Sequence, residues 1–117
     1  MTRAEELLET FKDVSIGTEL TGAEITKRVN SKFGRGKDSV NPADYCYNRT
    51  NNGITYQNHL HLFVYNSNLK IYKYLGKDYL YTGYIYQKPK GSCEIIVGEV
   101  FEGEIVFLNQ DVTWNRF

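Results

Sequence analysis

Asn41-Pro42-Ala43-Asp44-Tyr45-Cys46-Tyr47-Asn48-Arg49 is the stretch on which the reading of the chain turns. Asn41 before Pro42 reads as an N-cap followed by proline at the first helical position, and Asp44 lies where a carboxylate suits the helix dipole. The signals predict a short helix over Pro42–Arg49, ending before Asn51-Asn52-Gly53. Such a helix would be the third in the chain. One of its sides could pack while the other, carrying Asn48 and Arg49, contacts a partner.

Upstream, two helices are signalled by their ends. Thr2 with Glu5 forms a capping box ahead of Leu7, Leu8 and Phe11 at helical spacing, and Gly17 bounds that helix. Thr21 with Glu24 repeats the device; Leu20 and Ile25 are placed as a hydrophobic staple, Ile25, Val29 and Phe33 follow at intervals of four, and Gly34 closes the helix. Gly34-Arg35-Gly36-Lys37-Asp38 then reads as a basic loop.

Downstream the period changes to two. His59–Tyr65 and Leu69–Leu75 flank Asn66-Ser67-Asn68 as a hairpin, with Lys70 and Tyr72 on its outer face. Tyr79–Tyr86 is an expected third strand, and Cys93–Phe101 with Glu104–Leu108 a second hairpin across Glu102-Gly103. The expected fold is therefore α+β: one domain over residues 1–117, with three N-terminal helices in 1–53 and an antiparallel sheet of about five strands in 54–117. The expected core is Leu7, Leu8, Phe11, Ile25, Val29, Phe33, Leu62, Val64, Ile71, Ile96 and Val106. Three helices followed by a hairpin is the order of a winged-helix domain, whose third helix enters the major groove while the hairpin touches the backbone.

Composition narrows the function. At 41% hydrophobic and 24% charged residues the chain is globular in character, with no apolar run able to span a bilayer. Met1–Leu8 holds no apolar signal segment, which predicts a cytoplasmic protein. Two cysteines, Cys46 and Cys93, are too few for a disulfide framework and read as reduced thiols. Without a secretory signal, the sequon at Asn48-Arg49-Thr50 carries no weight. Ten tyrosines suit half-buried strands and contact surfaces alike.

The formal net charge is zero, yet its distribution is uneven. Residues 1–26 hold two basic against six acidic groups (net −4), 27–91 eleven against three (net +8), and 92–117 one against five (net −4). A basic middle of this kind can create a strong local potential on a neutral protein. It points to non-catalytic binding of nucleic acid, double-stranded DNA first. The expected contacts are Arg35, Lys37, Ser39, Tyr45, Tyr47, Asn48 and Arg49 around the third helix, with Lys70 and Lys73 on the wing. A protein-interaction module, using the acidic ends and the tyrosines, is the alternative. Capture of a small ligand in a tyrosine-lined pocket is a third reading.

No catalytic constellation emerges, and no cofactor is implied. His59 and His61 could join Cys46 or Cys93 as metal ligands, but without C-x-x-C or H-E-x-x-H spacing two packing histidines are the simpler reading. Asp44 and Asp78 stand too far apart to define a magnesium site. Gly34-x-Gly36 lacks the rest of a phosphate-binding fingerprint. Cys46 has no histidine at supportive local spacing.

The run Ser39-Val40-Asn41-Pro42-Ala43-Asp44-Tyr45-Cys46-Tyr47-Asn48-Arg49-Thr50-Asn51-Asn52-Gly53, followed by Tyr74-Leu75-Gly76 and Tyr81-Thr82-Gly83, resembles a little-characterised domain family of bacteria and phages, found alone or beside restriction-type nucleases. The resemblance covers roughly residues 14–100. It implies a winged-helix-like fold and a role near DNA or in anti-phage defence, with a host or phage defence protein as the alternative partner, and no established chemistry.

Overall fold

Thr2 opens the first helix, α1 (Arg3–Phe11): its hydroxyl accepts the Glu5 amide at 3.1 Å while the Glu5 carboxylate accepts the Thr2 amide at 2.8 Å. The computed structural model describes residues 2–34, 40–51, 54–89, 91 and 93–109. The second helix, α2 (Gly22–Phe33), starts on the same reciprocal pair between Thr21 and Glu24 and ends on Gly34 at φ 66°. Between the helices lies a two-residue strand, β1 (Glu19–Leu20).

Five further strands follow: β2 (Phe63–Asn66), β3 (Ile71–Tyr74), β4 (Gly83–Gln87), β5 (Ile95–Phe101) and β6 (Glu104–Leu108). They form two antiparallel three-stranded sheets, ordered β1-β3-β2 and β4-β5-β6. Both hairpin turns carry the chemistry expected of them. Asn66 Oδ1 accepts the amides of Asn68 and Leu69, each at 3.0 Å, and Glu102-Gly103 takes positive φ at both positions (47° and 84°), the geometry that matches strand twist.

The α+β class stands, but three helices on one five-stranded sheet, and with them the winged helix, are overturned. Only two α-helices occur among the described residues. The expected third helix is a single 3-10 turn, Pro42–Tyr45, with Asn41 Oδ1 capping the Ala43 amide at 3.2 Å. Beyond Tyr45 the chain is extended, because its backbone groups find partners across the fold rather than four residues back. The Leu62 amide donates to Tyr45 O and the Tyr47 amide to Phe63 O, both at 2.7 Å; Tyr86 then donates to Asn48 O at 3.0 Å, and Thr50 donates to Tyr86 O at 2.9 Å. Residues 45–50 thus run parallel first to β2 and then to β4, stitching one sheet to the other. Tyrosine, cysteine and threonine suit such a path better than a helix interior.

The core lies in two parts. In the first, Leu7, Phe11, Ile25 and Val29 pack on Leu20, Phe63 and Tyr74 of the β1-β3-β2 sheet, with Phe11 edge-on to Phe63 at 5.3 Å. In the second, Tyr56, from a 3-10 turn at Tyr56–Asn58, joins Ile85, Val97 and Val100 of the β4-β5-β6 sheet. Of the expected core, Leu7, Phe11, Ile25, Val29 and Leu62 are fully buried, whereas Ile96 and Val106 are 49% and 60% exposed. Register shifts at Ile85/Tyr86 and Glu99/Val100 break the alternation that would have turned them inward. Tyr72 and Tyr74 of β3 also turn toward the helices, leaving Lys73 outside, opposite to the expected facing.

Candidate functional site

The stitching segment turns the ring of Tyr47 into a cleft beside the β5-β6 hairpin. There it meets His61 (ring centroids 5.5 Å apart), Tyr79 (5.5 Å) and Tyr81 (6.1 Å), while Tyr56 stacks on His61 at 4.1 Å. These five rings come from four places in the chain: the stitch, the 3-10 turn, the approach to β2, and the loop between β3 and β4. They line a cavity of about 390 Å³ whose edge is completed by Gln57, Lys77, Asp78 and Leu80 and by Val100, Gly103 and Ile105 of the last hairpin.

The hydroxyl groups of three tyrosines are committed to the framework. Tyr56 Oη donates to the Tyr47 carbonyl at 2.6 Å, Tyr81 Oη to the Tyr84 carbonyl at 2.7 Å, and Tyr47 Oη to the Gly76 carbonyl. Tyr47 Oη also accepts the Tyr79 amide at 3.3 Å. Burial raises the pKa of all three phenols, that of Tyr81 to about 12, so they are neutral at physiological pH. The Nε2 of His61 lies 2.9 Å from the Tyr56 carbonyl, to which it donates. Its Nδ1 is buried with no hydrogen-bonding partner among the described residues, and burial lowers the imidazole pKa, keeping the ring uncharged. The cleft therefore offers neutral ring surface inside and polar groups at its edge.

Charge gathers next to it. Tyr79, 43% exposed, borders two further depressions. One holds Lys12 and Lys77, and the other, on the outer face of the β1-β3-β2 sheet, holds Lys73 beside its cross-strand partner Glu19. Lys12 is held by Glu9 at 2.6 Å, whereas Lys73 and Lys77 have no carboxylate within ion-pair distance among the described residues.

The residues expected to read DNA are placed differently. Tyr45 is buried, its ring 4.8 Å from His59, and Tyr47 is buried in the cleft. Asn48 is engaged through both amide atoms by the backbone of Tyr65. Arg49 pairs with Glu94 at 2.7 Å and lies over the Tyr65 ring at 4.9 Å. These side chains hold the fold together instead of forming one exposed reading face, because the helix that would have presented them is a 3-10 turn followed by a segment that bridges to both sheets. Lys70 is exposed in the first hairpin turn at φ 56°. Of the expected contacts among the described residues, Tyr47 packs on the aromatic loop and Lys73 borders it from the outer face of the sheet. Arg35, Lys37 and Ser39 lie outside the described residues.

Tyr56, His61, Lys77, Tyr79 and Tyr81 were not among the expected site residues. The available signal was Tyr79-Leu80-Tyr81 bracketed by Gly76 and Gly83, both at positive φ (79° and 151°), which marks a shaped loop rather than a strand. Cys46 is fully buried, its Sγ 3.6 Å from the Pro42 carbonyl, and burial pushes its thiol pKa up, so it stays protonated. Among the described residues no three His, Cys, Asp or Glu side chains gather as metal ligands, and no helix is long and apolar enough to cross a membrane.

The chain belongs to the family described as domain of unknown function DUF7225, which matches residues 3–107. It is also similar to the Bacillus subtilis (strain 168) protein named Uncharacterized protein YnaC, at 38% identity over 117 residues. That alignment covers 99% of this chain and 43% of the relative, so the chain spans less than half of that protein's length. No solved structure matches.

Proposed function

We propose that this DUF7225 domain captures, without turnover, a flat heterocyclic ring carried on a phosphate: a nucleotide unit, either free or within single-stranded nucleic acid. The observation that carries this reading is the cleft of five aromatic rings around about 390 Å³, with three tyrosine hydroxyls bonded into the framework. Ring faces bind heterocycles by stacking, which is sequence-tolerant and worth about 1–3 kcal/mol per base. Lys77 at the edge and Lys73 beside the same loop suit the phosphate that accompanies such a ring. A base within a duplex cannot enter a cleft without leaving its stack, so the single strand is the favoured form. The role near DNA and restriction-type nucleases implied by the family resemblance agrees with this reading, since exposed single strands occur where duplexes are cut.

The test is fluorescence anisotropy with labelled single-stranded DNA, single-stranded RNA and duplex of matched length, with mononucleotides as competitors. Single strands bind in the wild type. Tyr79→Ala, at an exposed position, weakens them roughly five- to 150-fold, and Lys77→Ala lowers the salt slope by about 0.7. If mononucleotides compete as strongly as strands, the free nucleotide is the ligand. Duplex binding equal to single-strand binding, or no binding at about 50 mM salt, sinks the proposal.

A further inference from the structure

The last hairpin carries a second surface, separate in chemistry from the cleft. Strand β6 reads Glu104-Ile105-Val106-Phe107-Leu108, and its three central residues are 40%, 60% and 38% exposed. It bonds to β5 on one edge, and among the described residues no strand pairs with the other. Exposed strand edges are ordinarily blunted by lysine, proline, inward charge or a bulge. This strand has no lysine or proline; the devices it carries are Glu104 at its start and the register shift that sets Val106 outside the pairing.

The adjoining sheet face continues the pattern. Register places Tyr84, Glu99 and Phe107 in one row across β4, β5 and β6, and Phe101 beside Glu104 in another. Phe101, Ile96 and Tyr84 are 58%, 49% and 45% exposed. Charge on this unit has one sign. Glu94, Glu99, Glu102 and Glu104 fall within residues 93–109, which contain no lysine or arginine. Glu94 is answered by Arg49 of the stitching segment, leaving Glu99, Glu102 and Glu104 without an ion pair among the described residues.

We propose that the outer edge of β6 is a docking site for an extended segment of a partner protein that alternates apolar and basic residues and joins the sheet as a fourth strand. Backbone hydrogen bonds along β6 supply affinity, and side chains at every second position supply specificity. Glu99 and Glu104 share the outer face with Phe107, while Ile105 pairs with the buried Val100 on the inner one. An added strand therefore meets carboxylates on one face and apolar surface on the other. A second copy of this chain would bring another set of glutamates to the same edge, so charge complementarity favours a basic partner over self-association.

The test uses two capped synthetic peptides of about nine residues, long enough to cover one strand. One alternates lysine with valine and the other glutamate with valine. Binding is read by amide chemical-shift changes in the intact chain. The lysine peptide binds at least about tenfold more tightly than the glutamate peptide, a difference set by charge alone, and shifts the amides of residues 104–108. Val106→Lys, which places charge on the edge, abolishes binding. The double variant Glu99→Lys/Glu104→Lys exchanges the preference to the glutamate peptide, an outcome that loss of folding could not produce. Equal affinity for both peptides, shifts mapping away from β6, or a dimer in sedimentation that Val106→Lys dissolves would overturn the proposal. The last would assign the edge to a second copy.

Discussion

Asn48 makes, with one side chain, the two bonds that a neighbouring strand residue would make to Tyr65: its Nδ2 donates to the Tyr65 carbonyl and its Oδ1 accepts the Tyr65 amide, each at 2.9 Å. The amide group thereby extends the parallel pairing of the stitch along β2 just as the stitch backbone departs toward β4. An asparagine expected to pair with base edges has its donor and acceptor turned to a structural use.

Asn48→Ala therefore destabilises the fold by about 2 kcal/mol, one increment for each of two lost hydrogen bonds. Asn48→Asp, which keeps the acceptor but cannot donate when ionised, costs roughly half of that or more. Urea unfolding measures both. An alanine variant of unchanged stability would show that the pair contributes nothing.

Gly98 is a packing position. A Cβ there would lie 2.9 Å from Ile85 Cδ1 and 2.9 Å from the Phe107 carbonyl oxygen, and the second is backbone that cannot step aside. Gly98→Ala should cost about 1–3 kcal/mol through overpacking, read as a lower melting temperature. Gly103→Ala faces a different neighbour, the Leu80 Cδ2 at 2.9 Å, at a position already at φ 84°. Its effect should extend to the cleft, since Gly103 and Leu80 both line it.

Stability should have an optimum bounded on both sides by buried rings. The tyrosine phenols have folded-state pKa values above their ordinary value of 10.0, that of Tyr81 reaching about 12. Above pH 10 the unfolded chain therefore releases phenolic protons that the folded chain retains. Their contribution is complete below about pH 10 and lost as pH rises toward 12. His61 has its pKa lowered by burial, so the unfolded chain binds a proton first and stability falls as pH drops below about 6.5. Denaturant midpoints across pH 5 to 11 check both limbs. Tyr81→Phe should flatten the alkaline one and leave the acid one unchanged.

The two thiols should differ sharply in reactivity. Cys93 is exposed, while Cys46 is buried with its pKa raised. An Ellman titration of the native protein should give one rapid equivalent, and the second should appear only at the rate of unfolding. Two rapid equivalents would mean that the stitch around Cys46 opens readily.

What could be read in advance was what neighbours in sequence decide. Both capping boxes span four residues, and Glu102-Gly103 is a turn signal in itself, although Thr82 Oγ1 and the Tyr81 carbonyl also accept its two amides at 2.8 and 2.9 Å. Asn41-Pro42 likewise initiates a turn as expected, but nothing within the next six residues determines how the chain continues. That choice is made by Phe63 and Tyr86, more than a dozen residues away. Ile96 and Val106 were misplaced for a related reason: a register shift of one residue reverses every later side chain, and bulges leave little local trace. A tyrosine-lined pocket was among the expected possibilities, yet its members could not be assigned, because Tyr47, Tyr56, His61 and Tyr79 converge only once both sheets exist.

The segment from Tyr45 to Thr50 also governs how the molecule can come apart. One short run of backbone closes a ladder on each sheet, so neither sheet can peel from it without releasing groups that bind the other. The Tyr47 and Thr50 amides, facing different sheets, should exchange with deuterium at closely similar free energies of opening. A domain built from two small sheets, each marginal alone, should thereby come apart as a single cooperative unit, and the seam that joins the sheets also fixes Tyr47 in the wall of the cleft.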